Sequence, residues 1–436
     1  MFVCVCLLIV GLARASGPPT PEGELHLPTV LFVIGTQTGG RSALDIQDTR
    51  LSAYRALYEL LGFRVIHVPT GIMTTAEEGA LLLYAQLRGE ATNFGPELTE
   101  RLGLKSSFGL DFSGQGRFPE WSKEHPVSIF AFSFGCAISM TLASLLETGL
   151  PETFKLDPTA STLFEGNRFG WISAIQCHAG VTSGVSVAHV PGFARALIPM
   201  YCTPLEFSVF SFFRVDNAQN SMLLEQRGIF IDFEADDDAQ ERCQRTLEKL
   251  IADPSSKNSP LQAYTVAGSI ERLMRFDNPS IQTITGYVRL SATIALPFDS
   301  GMTMEPRLAF QTSRMTYIRT LIIGTFSVVV YVMAESDAGD LQPFHIGSLW
   351  QDNDSLTNTI GHACPSTFIP SITAPCTNAS SLVSFLEDEH SVAPGSFLTL
   401  GSIRRELHET VLAGQSSPYF FTSLGDLART QLVKKV

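Results

Sequence analysis

The stretch Val127 to Leu146 limits the possible folds more than any other part of the chain. Val127-Ser128-Ile129-Phe130-Ala131-Phe132 is a near-continuous apolar run, and it passes through Ser133-Phe134 into Gly135 and a series of small and apolar residues ending near Leu146. A strand apolar on both faces belongs in a parallel sheet covered by helices, and a two-residue passage from strand to helix marks a βα unit. The same rhythm recurs. Thr29 to Ile34 is an all-but-apolar run ending in Gly35-Thr36-Gln37-Thr38-Gly39-Gly40, residues 46–62 carry Leu51, Tyr54, Leu57, Tyr58 and Leu61 at helical spacing, and Phe63 to Val68 is a second strand. Residues 75–89 read as a helix and Trp171 to Gln176 as a further strand. Strands alternating with helices imply an α/β fold: a mostly parallel central sheet with helices on both faces.

The rhythm breaks between residues 190 and 230. At 436 residues, 44% of them hydrophobic, the chain exceeds the roughly 250–300 residues that one compact core usually holds, yet has ample apolar material to fold. One domain over 29–436, carrying an insertion at about 185–260, accommodates both facts. Within it, Phe207 to Phe213 is an apolar stretch that suits either core packing or a lid over an apolar site. The acidic run Glu234 to Asp238 reads as the solvated start of a helix over 234–257, and Leu321 to Met333 as a buried strand too short to span a membrane. A formal net charge of −13, with no basic cluster, excludes nucleic acid as a partner.

Residues 2–12 (FVCVCLLIVGL), followed by Ala13-Arg14-Ala15-Ser16-Gly17, have the short apolar core and small-residue flank of a secretory signal peptide. Residues 1–16 are therefore expected to be removed, leaving a Pro- and Gly-rich arm at 17–28 on a secreted, extracellular protein. Cys4 and Cys6 would leave with the signal. Cys136, Cys177, Cys202, Cys243, Cys364 and Cys376 remain, and Cys364 with Cys376, flanking a Pro-rich loop, is the expected disulfide. Asn353-Asp354-Ser355 and Asn378-Ala379-Ser380 fit the glycosylation acceptor pattern.

The passage Ala131-Phe132-Ser133-Phe134-Gly135 has the shape a nucleophile elbow requires. The serine must sit on a strained turn that lifts its hydroxyl above the sheet. Residues two before and two after it must be small, because strand and helix backbones nearly touch, and the following helix aims free N–H groups at a developing oxyanion. Ala131 and Gly135 supply the small neighbours. A serine capping an ordinary helix is the plain alternative. A second oxyanion donor belongs in the loop after the first strand, where Gly35-Thr36 lies. Gly35 to Gly40 lacks the Gly-Lys-Ser/Thr ending of a phosphate-binding loop.

In such a fold the acid and then the base follow the serine in the chain. His189, His345, His362, His390 and His408 are candidates for the base; His390 sits in an acidic, solvated face, and His408 lies late, where the base belongs. Asp337, Asp352 and Asp354 are candidates for the acid. His178 ends a strand near the site.

Several segments together resemble the secreted staphylococcal and thermoalkalophilic bacterial lipases, a family of α/β-hydrolases, over most of 29–415. They are Val30 to Arg41 (VLFVIGTQTGGR), Tyr84 to Gly89 (YAQLRG), Pro126 to Gly149, Leu163-Phe164-Glu165-Gly166, Tyr264-Thr265-Val266-Ala267-Gly268 and Asn353 to Thr359 (NDSLTNT). The resemblance implies a triad of Ser133, Asp354 and His408, with the backbone N–H groups of Thr36 and Phe134 as oxyanion donors. It also implies an ester or lipid substrate, most simply a triacylglycerol, and peripheral contact with lipid surfaces. The family's two histidines beside the elbow and the first loop are Phe132 and Ile34 here. Its structural zinc, held by two Asp and two His, is expected to be lost: a carboxylate remains near Glu78, but 98–113 holds no histidine and Ala263 replaces the second Asp. Thr410 and Gln415 stand where the family's calcium ligands would be, so the expected cofactor and metal are none. A glycan on Asn353 would obstruct a site at Asp354. A soluble-ester esterase or phospholipase, and a catalytically inactive hydrolase fold that binds lipid or protein, are the other readings the residues allow.

Overall fold

The computed structural model describes residues 28–34, 55–56, 58–60, 62–71, 74–185, 188, 225–226, 239–250, 260–265, 268–269, 272–273, 284–290, 376–378 and 397–404. The strands of its main sheet are β1 (Thr29–Ile34), β2 (Arg64–His67), β5 (Val127–Phe132), β6 (Ile172–His178), β7 (Ile284–Leu290), β8 (Cys376–Asn378) and β9 (Phe397–Arg404). They lie in the order β2-β1-β5-β6-β7-β9-β8, and every neighbouring pair is parallel. The C-terminal ends of all seven strands therefore face one edge of the sheet, where ligands bind in open parallel sheets. A separate antiparallel pair, β3 (Ala91–Asn93) with β4 (Phe108–Asp111), was not expected from the sequence.

Both faces of the sheet are covered. Odd-numbered residues Leu31, Val33, Ile129 and Ala131 share one core with Ala80, Leu83 and Leu87 of α1 (Ala76–Arg88) and Ile138 and Leu142 of α3 (Gly135–Thr148). Even-numbered Phe32 and Phe130 face the other way and meet Tyr58 edge-on, at 5.6 and 6.3 Å between ring centres. The Tyr58 hydroxyl donates to Gln176 of β6. This alternation is the period-two geometry of a strand buried on both sides.

Helix α1 begins at a capping box. Thr75 Oγ1 accepts the Glu78 N–H at 3.2 Å, and the Glu78 carboxylate accepts the Thr75 N–H at 2.7 Å. α1 packs closely on α3, since a Cβ on Gly79 would lie 2.6 Å from Ile138 Cδ1. A short α2 (Gly95–Arg101) has proline at its second position and α4 (Pro151–Leu156) at its first.

Two segments singled out in the sequence prove architectural. The 3-10 turn Thr162–Glu165 ends at Gly166 and docks on the end of α3, where the Leu150 N–H donates to Phe164 O at 2.8 Å and the Asn167 N–H to Glu147 O at 2.8 Å. Tyr84 hydrogen-bonds Thr162 through their hydroxyls at 2.8 Å, and Arg88 donates to Pro119 O and Trp121 O while lying over the Trp171 ring.

Within the predicted insertion, α5 (Ala239–Leu250) is helical as expected, and α6 (Pro260–Ala263) follows it. The signal segment, the N-terminal arm, the apolar stretch 207–213 and the predicted strand 321–333 lie outside the described residues. No helix among the described residues is long and apolar enough to cross a membrane.

Candidate active site

Strand β5 is buried along its whole length, and α3 is buried at nearly every position. Between them sits Ser133, which is partly exposed and has φ +55, a left-handed conformation. For an L-residue with a Cβ that conformation costs about 1–2 kcal/mol. The surrounding structure must therefore impose it. Three bonds do so: the Ser133 N–H donates to His178 O at 3.1 Å, and Ser133 O accepts from the Cys136 N–H at 3.2 Å and from the Val181 N–H at 3.0 Å. None of them uses the Phe134 N–H, which stands at the head of α3 where the helix dipole favours negative charge. Strand, left-handed serine and helix together form the elbow expected from the sequence. The turn lies at the C-terminal end of β5, on the open edge of the sheet.

The backbone beside the elbow is tightly packed. A Cβ on Gly180 would lie 2.5 Å from Cys136 Sγ and 3.1 Å from Cys177 Cβ, so only glycine lets this loop close against α3. Cys136 and Cys177 are both buried free thiols. Burial, together with the Cys177 thiol beside it, pushes the Cys136 thiol well above its ordinary range. Cys136 thus remains a neutral thiol, although it lies three residues from Ser133, and it is a poor nucleophile. His178 is fully buried, with its ring stacked 4.1 Å from that of Phe130, and belongs to the sheet core.

Of the sequence-predicted site residues, the structure describes Ser133 and Phe134. Thr36, Asp354 and His408 lie outside the described residues, as does the Asn353 acceptor. The strands that lead towards two of them are described. β1 pairs with β5 as far as Ile34↔Phe132, so β1 ends alongside the elbow, two residues before Thr36 in the sequence. β9 ends at Arg404 on that same edge, four residues before His408.

This fold resembles several solved structures. Staphylococcus hyicus lipase is 14% identical, covering 97% of this chain and 100% of its own, with a TM-score of 0.67. EstA from Clostridium botulinum is 16% identical, covering 94% and 88%, with a TM-score of 0.68. Lipase 1 from Pelosinus fermentans is 18% identical, covering 92% and 98%, with a TM-score of 0.67. The chain has the α/β-hydrolase fold. No protein-family model and no curated protein matches the sequence.

At two positions where the sequence resemblance would look for zinc ligands, the described residues are engaged otherwise. The Glu78 carboxylate caps α1, and Ala263 offers only its carbonyl oxygen, which accepts from the cationic Arg272 at 3.3 Å. A guanidinium at that point repels a divalent cation. Among the described residues, no group of three or more His, Cys, Asp or Glu could hold a metal ion.

Two side chains at the elbow escaped the sequence reading. Tyr264 stacks on Phe134 with ring centres 3.9 Å apart and planes at 23°, and Arg272 lies over the same ring at 5.9 Å. Tyr264 falls in a segment that carried the resemblance, but nothing in its pattern pointed at Phe134. Arg272 is a lone basic residue between Glu271 and Leu273, without any local signal.

Proposed function

We propose that this chain is a secreted serine ester hydrolase, a triacylglycerol lipase, that works through an acyl-enzyme with Ser133 as nucleophile. The observation that carries this reading is the left-handed, partly exposed Ser133 held between a fully buried strand and a buried helix. A serine that merely capped a helix would not need φ +55, because N-cap residues sit in the extended region.

In this reading Ser133 Oγ attacks the ester carbonyl while His408 accepts its proton, and Asp354 holds the imidazole in the tautomer that can do so. The carbonyl oxygen gains negative charge as the new bond forms, and the N–H groups of Phe134 and Thr36 donate to it. His408 then passes the proton to the departing alkoxide. Water, deprotonated by the same histidine, releases the acyl group and restores the serine. The apolar stretch 207–213 would supply the surface along which a long acyl chain lies.

The test is turnover of emulsified triacylglycerol beside a short, soluble p-nitrophenyl ester, using the secreted protein and three variants: Ser133→Ala, Asp354→Asn and His408→Ala. The wild type should hydrolyse both substrates. Loss of Ser133 or His408 should each remove about 10⁴-fold or more of kcat, with Asp354→Asn close behind. Hydrolysis of the soluble ester alone would move the assignment to an esterase. A His408 variant with wild-type turnover would remove that residue from the triad.

A further inference from the structure

The ring of Phe134 is buried and held by two side chains. It is 1% exposed, with Tyr264 stacked on it and the Arg272 guanidinium over it. Arg272 also ties together the pieces of chain that surround the elbow. Its Nη2 donates to Thr182 O at 2.9 Å and its Nη1 to Ala263 O at 3.3 Å. Thr182 follows Val181, whose N–H holds Ser133 O, and the Val185 N–H in turn donates to Tyr264 O at 2.8 Å. The segment that presents the two side chains is closed on itself: Thr265 Oγ1 donates to Gln262 O at 2.7 Å and accepts the Gly268 N–H at 3.0 Å.

We propose that Arg272 and Tyr264 are positioning residues for the nucleophile turn: they fix the Phe134 ring, and through it the orientation of the Ser133–Phe134 peptide whose N–H faces the reacting oxygen. This proposal rests on the hydrolase reading above. The argument is mechanical. A residue with φ +55 returns to a relaxed conformation unless its neighbours are held, and a Phe134 ring fixed in place anchors the Cα on the far side of the peptide after Ser133, which narrows the rotations open to it. The ring meets a face-to-face partner and a cation, both of which restrict its tilt. The cation is itself fixed by two carbonyl acceptors from separate segments. Burial pushes the Arg272 guanidinium down to about 10, which leaves it charged at neutral pH, and Glu77 favours that charge. A lysine offers one compact ammonium on a flexible stem and cannot span both carbonyls while lying flat on a ring.

The test uses the full-length protein with Arg272→Lys, Arg272→Met and Tyr264→Leu. Each is reacted with a small fluorophosphonate, and its kcat and KM are measured on a soluble p-nitrophenyl ester and normalised to the labelled sites. The labelling end-point should match that of the wild type, showing folded protein. The rate constant of labelling and kcat should fall about tenfold to a hundredfold, with KM little changed. Variants that melt at a lower temperature but label and turn over at wild-type rates per site would overturn the proposal, reducing both residues to structural ones. Where Arg272→Met yields no folded protein, Arg272→Lys and Tyr264→Leu decide the question. A wild type that fails to label refutes the hydrolase reading itself, whereas a wild type and variants that label equally fast refute only the positioning role.

Discussion

Ser133 combines two demands that oppose each other. Its hydroxyl must stand clear of the sheet, and the backbone conformation that lifts it is one an L-residue adopts at a cost of about 1–2 kcal/mol. Ser133→Gly should relieve that strain and Ser133→Ala should not, because only glycine loses the Cβ that clashes in the left-handed region. Both variants are expected to be inactive, and thermal melts should show the glycine variant as the more stable by about 1 kcal/mol. Equal melting points would mean that the turn is relaxed. Asp157 makes a second, separable contribution. Its carboxylate accepts from the Thr159 hydroxyl at 2.6 Å, from the Thr159 N–H at 2.9 Å and from Asn93 Nδ2 at 3.5 Å, and these bonds lower its pKa. A folded pKa below the unfolded value of about 3.9 gives stability that is complete above that value and lost as pH falls through the folded pKa. Asp157→Asn should therefore melt below the wild type at pH 7, with the gap closing as the pH drops below about 4. A gap that persists unchanged at pH 3 would show that the charge contributes nothing.

Among the elements, those nearest the site were the ones most legible in the sequence. β1, β5, β6 and α3 are buried along nearly their whole length, so apolar and small residues dominate their sequences. The helix read over 75–89 occupies 76–88, because Thr75 and Gly89 cap it at either end. The β3–β4 pair was missed because its strands, of three and four residues, mix polar and apolar side chains and leave Phe108 exposed. β9 was not singled out in the sequence, since Thr399, Gly401 and Ser402 hide its alternation and its pairing with β7 shifts register midway. Contacts between distant segments, such as Tyr264 and Arg272 on Phe134, leave no periodic trace at all. The Leu163-Phe164-Glu165-Gly166 turn shows a further limit of motif reading, for its specificity comes from packing and not from chemistry. Gly166 has φ +68, and a Cβ there would lie 2.8 Å from both Gly149 N and Thr148 C. Gly166→Ala should destabilise the protein by about 2–4 kcal/mol, from left-handed strain plus overlap with backbone that cannot yield. Chemical denaturation would measure it, and a loss below about 0.5 kcal/mol would mean that the turn adjusts at little cost.

For the whole molecule, a seven-stranded parallel sheet gathers the ends of strands far apart in sequence along one edge. Under the proposed mechanism, that arrangement would let residues 133, 354 and 408 serve one site although more than half the chain separates the first from the last. It also explains why the turn at Ser133 was readable while the proposed acid and base rested on resemblance: the turn is a local structure with a local pattern, whereas an acid and a base need only arrive at the right edge. The most direct test of the central claim is intact-mass analysis of the secreted protein before and after reaction with a fluorophosphonate, followed by peptide mapping. One adduct per chain, located on Ser133 and absent from Ser133→Ala, is the predicted result. No adduct, or an adduct on another serine, would contradict it.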